Sequence, residues 1–212
     1  MSATINPDIV TDGLVLCLDD KNLMPNNAWR DILLNSQYSG STYSNSSWAN
    51  DIEEITICIF LQKTANDTEY ARHPINKWNG GTPNASFVLY HFHNYLGQYP
   101  NNEGLFQWLG TSASWRGISN STTLLLNEYA FICLQWKSAL GGQMWKNGVK
   151  VGVRQGGGGG NLGLGGSSGI NIVSPLTGDG YTKIFSTSIY NRELQDDEIL
   201  QNYKALKSRH GL

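Results

Sequence analysis

A few groupings in this chain could do chemistry. Asp51-Ile52-Glu53-Glu54 sets Asp51 and Glu53 two residues apart, which in an extended strand is one face. Cleaving a glycosidic bond needs two carboxyl groups at a fixed separation. Here, however, the acids precede an apolar strand instead of sitting within it. Asp19-Asp20 offers no same-face pair, and Asp196-Asp197-Glu198 reads as the start of a helix. Gly165-Gly166-Ser167-Ser168-Gly169 fits the G-x-S-x-G expression. A nucleophile elbow needs a buried strand before the serine and a helix after it, and this glycine-dense stretch has neither. Gly158-Gly159-Gly160-Asn161-Leu162-Gly163 fits G-x-G-x-x-G, but no helix N-terminus follows to hold a phosphate. His91-Phe92-His93 puts two imidazoles on one strand face, two arms of a metal site without an identifiable third. The expectation is no catalytic residue, no metal and no cofactor, hence no enzyme.

Sugar binding is the small-ligand chemistry that the composition favours. Trp78, Tyr95, Tyr99, Trp108 and Trp115 lie among Asn79, Asn84, Asn94, Asn101 and Asn102. Aromatic rings supply stacking platforms and carboxamides supply paired donors and acceptors. Trp78, Asn79, Tyr95, Tyr99, Trp108 and Trp115 form the candidate carbohydrate site. The competing reading makes several of these rings core residues or contacts to a neighbouring subunit.

The elements that would position such a site must be strands. The chain has 212 residues, 24 of them Gly, and only 15% are charged. Frequent Gly and Asn with few charges favour turns over long exposed helices, and so an all-β fold. The length allows one domain, and residues 1–212 read as one. Fifteen basic residues against seventeen acidic ones give a net charge of −2. No Lys/Arg cluster marks a nucleic-acid footprint or a polybasic membrane patch. No apolar run approaches a spanning length. Met1-Ser2-Ala3-Thr4 lacks a secretory pattern, so folding in the compartment of synthesis is expected. In that setting the sequons at Asn45, Asn66, Asn84 and Asn120 carry no meaning. Cys17, Cys58 and Cys133, odd in number and widely spaced, read as small buried hydrophobes.

The first strand falls within Asp8 to Asp20, with Leu14, Leu16 and Leu18 opposed to Val15 and Cys17. Apolar residues on both its faces predict an interior strand. Glu54 to Leu61 is the clearest central strand, because β-branched and aromatic residues dominate it. Further strands are expected at Ile75 to Trp78, Ala85 to His93, Phe106 to Leu109, Ser114 to Ile118 and Tyr129 to Trp136. Gly142 to Lys146 and Val149 to Val153 flank Asn147-Gly148, a strong hairpin signal. Gln155 to Gly169 is a loop, part of which could be a tight strand through Leu162 and Leu164. Thr182 to Tyr190 is the last strand, with Ile184, Ser186 and Ser188 opposed to Phe185, Thr187 and Ile189. One helix follows at about 196–209: acids fill its first turn, Ile199, Leu200, Tyr203 and Leu206 make an apolar stripe, and bases fill its last turns.

The end of the chain carries more than generic pattern. Phe185-Ser186-Thr187-Ser188-Ile189-Tyr190-Asn191-Arg192-Glu193-Leu194, then Asp196-Asp197-Glu198-Ile199, then Gln201-Asn202-Tyr203, resembles the closing strand and helix of the concanavalin A-like (laminin G-like) jelly rolls of phage structural proteins. Gly13 to Asp19 is similar to the opening strand of that family, Trp145-Lys146-Asn147-Gly148-Val149 to its hairpin, and Asn161 to Gly166 to a later strand. Leu126 to Tyr129 is similar to the lead-in of another strand. The resemblance runs over about residues 9–210, with Ala65 to Asn120 unaligned. Gln195 stands where the family has a Ser or Thr helix cap. The resemblance implies a two-sheet antiparallel jelly-roll sandwich with a short C-terminal helix. Some relatives hold calcium with loop oxygens, but no calcium loop is recognisable around Asp12, Asp19, Asp20 or Asp179.

A fold does not fix a function. The implied function is that of a non-enzymatic virion structural protein, a capsid decoration protein assembled in the host cytoplasm. Its partners would be capsid or tail subunits, its own copies, and host-surface glycans, with neither nucleic acid nor membrane. A glycan-binding adhesin of a tail or fibre is the alternative, and a glycoside hydrolase the third reading.

Overall fold

A computed structural model describes residues 8–19, 42–43, 52–64, 72–78, 85–91, 103–109, 115–156, 170–172 and 182–210. Twelve described strands form two six-stranded antiparallel sheets. Sheet A has the order β1 (Leu14–Asp19), β12 (Thr182–Tyr190), β3 (Glu54–Lys63), β8 (Tyr129–Lys137), β9 (Gly141–Lys146), β10 (Val149–Gly156). Sheet B has the order β2 (Thr42–Tyr43), β11 (Ile170–Ile172), β4 (Arg72–Trp78), β5 (Ala85–His91), β6 (Glu103–Leu109), β7 (Trp115–Thr123). The helix α1 (Asp196–Arg209) closes the chain.

The central strand β3 shows why sheet A lies in the middle of the molecule. Its residues 55–61 are all buried, so both faces are covered. One set of register rungs pairs Ile55 with Trp136, Ile57 with Leu134, Ile59 with Ile132 and Leu61 with Ala130. These side chains and Ile75 of sheet B belong to one core between the sheets. The alternate rungs pair Cys58 with Cys133 and Phe60 with Phe131. They belong to a second core with Trp145, Tyr190, Ile199, Ala205 and Leu206, which places α1 on the outer face of sheet A. Fully burying one such aliphatic or aromatic side chain stabilises the fold by about 1.5–3 kcal/mol.

Two sequence expectations are corrected here. The strand β1 is an edge of sheet A among the described strands, not an interior strand. It is apolar on both faces because it lies between the two cores. Leu14 and Cys17 join the outer core and Val15 packs on the inner one. A register shift between Leu14 and Leu16 breaks the simple alternation that opposed Leu14 to Cys17. A similar shift between Ile184 and Ser186 sends Ile184 to the inner core with Ile189, while Phe185 packs on the outer one. Such bulges add one residue to a strand and exchange its faces.

The hairpin signal holds. Asn147 and Gly148 have φ of 53° and 77°, the left-handed pair that a two-residue hairpin turn requires. Asn147 N–H donates to the Phe131 carbonyl at 2.8 Å, and Asn147 Oδ1 accepts from Phe131 N–H at 2.9 Å. A Cβ on Gly148 would lie 2.9 Å from Leu200 Cδ1, so the turn meets the helix closely. The strand expected to reach His93 is described to His91. Residues 157–169, including both glycine-rich motif matches, lie outside the described residues.

Candidate functional site

The most specific residues of the sequence assemble on the outer face of sheet A. Tyr190 is buried, and its hydroxyl donates to the Val10 carbonyl at 3.1 Å. Asn202 is also buried. Its Oδ1 accepts from Val10 N–H at 2.8 Å, and its Nδ2 donates to Tyr190 Oη at 3.0 Å. Burial pushes the Tyr190 phenol well above its ordinary pKa, so this oxygen stays protonated. One step along, Thr56 Oγ1 accepts from Leu194 N–H at 3.0 Å and donates to the Arg192 carbonyl at 2.8 Å. Gln135 Nε2 donates to the Leu194 carbonyl at 2.6 Å. The strand end, the N-terminal segment and the helix are thereby clamped together.

Arg192 holds the rim of this clamp. Its Nη1 and Nη2 donate to Glu198 at 2.8 and 2.7 Å, and its Nε donates to the Asp12 carbonyl at 3.2 Å. Glu198 Oε2 also accepts from Gln195 N–H at 2.8 Å. That supplies one half of a capping box at a helix start where Gln195 stands in place of a Ser or Thr cap. A Cβ on Gly13 would lie 2.9 Å from Arg192 Cγ, and Gly13 has φ of 73°, so both space and backbone favour glycine there.

The Arg192 hydrogen bonds hold Glu198 below the ordinary carboxylate range. A depressed carboxylate contributes stability that is complete above its unfolded pKa, about 4.3, and is lost as pH falls through the lower folded value. Acid titration of helicity is therefore expected to show a loss below about pH 4.3 that Glu198→Gln makes smaller. Equal acid sensitivity in the two proteins would remove Glu198 from the clamp.

Four other described acids are engaged in similar ways. Glu54 pairs with Lys137 at 2.6 Å and accepts from Glu193 N–H at 3.2 Å. Glu128 pairs with Lys146 at 2.7 Å and accepts from Leu125 N–H at 2.8 Å. Glu193 pairs with Arg154, and Asp12 pairs with Arg192 at 2.9 Å. Glu53 is exposed, and Asp51 lies outside the described residues. No group of three or more His, Cys, Asp or Glu converges as a metal site among the described residues. Cys58 and Cys133 face each other with sulfurs 3.5 Å apart, both buried and both free thiols. Burial raises the Cys133 thiol, which makes it a poor nucleophile.

The aromatic candidates for sugar binding lie on sheet B or outside the described residues. Trp78 ends β4 and pairs with Ala85 beyond a register shift. Trp108 of β6 pairs with Phe87 and Arg116, and Trp115 of β7 pairs with Leu109. Asn79, Tyr95, Tyr99 and His93 lie outside the described residues. Register separates two of the candidates. The row Ile172–Ile75–Leu89–Phe106–Ile118 crosses five strands, and Ile75 in it is fully buried between the sheets. Rows alternate between the faces of a sheet. Position 108 belongs to the same alternate set as Ile75, and position 115 to the other set.

The set containing position 115 includes a row that sequence reading missed. Thr42–Asn171–Asn76–Val88–Gln107–Gly117 runs in register across all six strands of sheet B. Its members are scattered from position 42 to position 171. Nothing local in the sequence signals their alignment.

No protein family model matches this sequence, and no curated protein matches it. Solved structures do. The binding domain of botulinum neurotoxin serotype D is similar with a TM-score of 0.56 at 12% identity, over 76% of this chain and 38% of that one. The binding domain of serotype G gives 0.54 at 12% identity, over 75% and 38%. The receptor binding domain of the C/D mosaic serotype gives 0.53 at 11%, over 72% and 36%. The chain thus spans less than two-fifths of each. At this identity the likeness shows the fold alone, an all-β two-sheet antiparallel sandwich of jelly-roll type with a short C-terminal helix.

Proposed function

We propose that the chain is a non-enzymatic structural protein of a phage particle, a capsid decoration module that works through surface contacts. One observation carries this reading. The residues that make the sequence distinctive, Tyr190, Arg192, Leu194, Glu198, Ile199 and Asn202, are used inside the clamp. Asp12, Glu54, Glu128, Glu193 and Glu198 are held by bases or backbone amides in place of facing one another across a cleft. The distinctive chemistry of the chain therefore builds a frame, and function falls to its loops, edges and sheet B. Specific contacts of this kind bury about 1,200–2,000 Å², and low charge with many aromatic residues suits them.

Quantitative mass spectrometry of purified particles tests the placement. The expected result is a copy number set by capsid symmetry, with no release of reducing sugar from host polysaccharide. Absence from particles, or hydrolysis lost on Glu53→Gln, would overturn it.

The second reading, a glycan-binding adhesin at a tail or fibre, is favoured by the polar row on sheet B. The toxin domains of similar fold are named as binding and receptor binding domains, which supports a binding role in general. A few copies per particle would favour this reading over decoration.

A further inference from the structure

We infer that Cys58 and Cys133 are a modification site: two thiols that close into one cross-strand disulfide at the centre of sheet A when the protein meets a peroxide. The modification needs nothing from the virion reading and holds whether or not the chain belongs to a particle.

Strand register brings the site together. Cysteines scattered from position 17 to position 133 fall on one line across sheet A, Cys17–Ser188–Cys58–Cys133–Trp145. Cys58 and Cys133 are direct partners on it, with sulfurs 3.5 Å apart. The type of rung matters. Lys63 N–H donates to the Glu128 carbonyl, and Ser138 N–H donates to the Glu53 carbonyl, so these two rungs of the β3–β8 ladder are hydrogen-bonded. Bonded and non-bonded rungs alternate in an antiparallel pair. Cys58–Cys133 lies an odd number of rungs from both, so it is a non-bonded rung. Such rungs bring Cα atoms to about 4.5 Å and side chains closest together. A disulfide asks for about 4.4–6.8 Å between Cα atoms. The backbone spacing is therefore already in range, and the sulfurs can close to about 2.0 Å by side-chain movement. Cys17 has no such partner. The strand β12 separates it from Cys58, which sets the two about 10 Å apart and out of bridging range, and Ser188 Oγ lies 3.6 Å from its sulfur.

The pair is covered, and its cover sets the rate. Cys58 and Cys133 share the outer core with Ile199, Ala205 and Leu206 of α1, and Asn202 Nδ2 lies 3.9 Å from Cys58 Sγ. Burial keeps the Cys133 thiol protonated, so reaction waits on opening of α1. In the open state one sulfur, as its thiolate, attacks a peroxide oxygen. The O–O bond breaks, hydroxide leaves and takes up the thiol proton, and a sulfenic acid remains. The second sulfur attacks the sulfenic sulfur. The S–S bond forms, the S–O bond breaks, and hydroxide leaves with the second proton as water. Two thiols are oxidised by two electrons, and one hydrogen peroxide becomes two waters. The product ties β3 to β8, two strands that line both cores, and closes a loop between residues 75 positions apart.

The full-length protein treated with hydrogen peroxide provides the test. Intact mass is expected to fall by two hydrogen atoms, and thiol titration in denaturant to drop from three cysteines to one. Peptide mapping should join Cys58 to Cys133 and leave Cys17 as a thiol, and dithiothreitol should restore all three. The oxidised protein should melt about 5–15 °C higher than the reduced one. Asn202→Ala should speed bridge formation about tenfold, because it frees α1, while Cys17→Ala leaves the bridge intact. The measurements on the unmodified protein stand even if a variant fails to fold. Oxidation to sulfinic or sulfonic acid without a bridge would overturn the proposal. So would a bridge that includes Cys17 or joins two molecules, three thiols surviving peroxide that has oxidised the methionines, or an oxidised protein that melts no higher than the reduced one.

Discussion

Replacing Asn202 with alanine is expected to lower the stability of the protein by about 3 kcal/mol. Asn202 is 1% exposed and sits at the centre of the clamp. Its loss leaves Val10 N–H without its 2.8 Å acceptor and Tyr190 Oη without its 3.0 Å donor. Each buried polar group left unpaired costs about 1–3 kcal/mol, more than the hydrogen bond contributed while it was made. For a chain of this size that corresponds to a fall of about 6–12 °C in Tm. Tyr190→Phe should cost less, because Val10 O retains a second lone pair and the ring still fills its place in the outer core. The two changes should not add, since both remove the Asn202–Tyr190 bond. Urea unfolding of the two single variants and the double one decides the matter. A double variant as unstable as the sum of the singles, or Asn202→Ala with an unchanged midpoint, would show that the clamp does not hold the helix.

This result matters for how the sequence is read. The resemblance rested largely on Tyr190, Asn191, Arg192 and the residues of the helix, and these were legible because they lie close together in sequence. Their partners Val10, Asp12 and Gly13 are about 180 residues away or more. The strands β3, β8 and β9 were legible from β-branched runs and from Asn147-Gly148. The faces of β1 and β12 were not, because a single bulge in each exchanges inside for outside and leaves no mark in composition. Only residue type and proximity in the chain group the candidate sugar residues. Register decides which face a residue serves, and it separates positions 108 and 115 that proximity had joined. The polar row of sheet B draws on six strands across 130 positions, so it could emerge only from the pairing itself.

The inner core gives the other large effect, and of a different kind. Trp136 is fully buried and stands in one rung between Ile55 and Gly142. Gly142 has no side chain, so the space beside it in that rung falls to its neighbours. Trp136→Ala opens a void that Ile55 alone cannot fill, and such truncations cost about 3–5 kcal/mol. The inner core ties β3, β8 and β12 to Ile75 of sheet B, so its loss should weaken both sheets at once. The clamp ties α1 and the N-terminal segment to one sheet, so its loss should open these alone. Amide hydrogen exchange separates the two cases. Trp136→Ala is expected to speed exchange in β3, β4 and β8 together, whereas Asn202→Ala speeds it in α1 and leaves β4 as it was. If both variants loosened the same amides, the helix and the sandwich would be one cooperative unit. The outer face of sheet A would then be as much the foundation of the fold as the layer between the sheets.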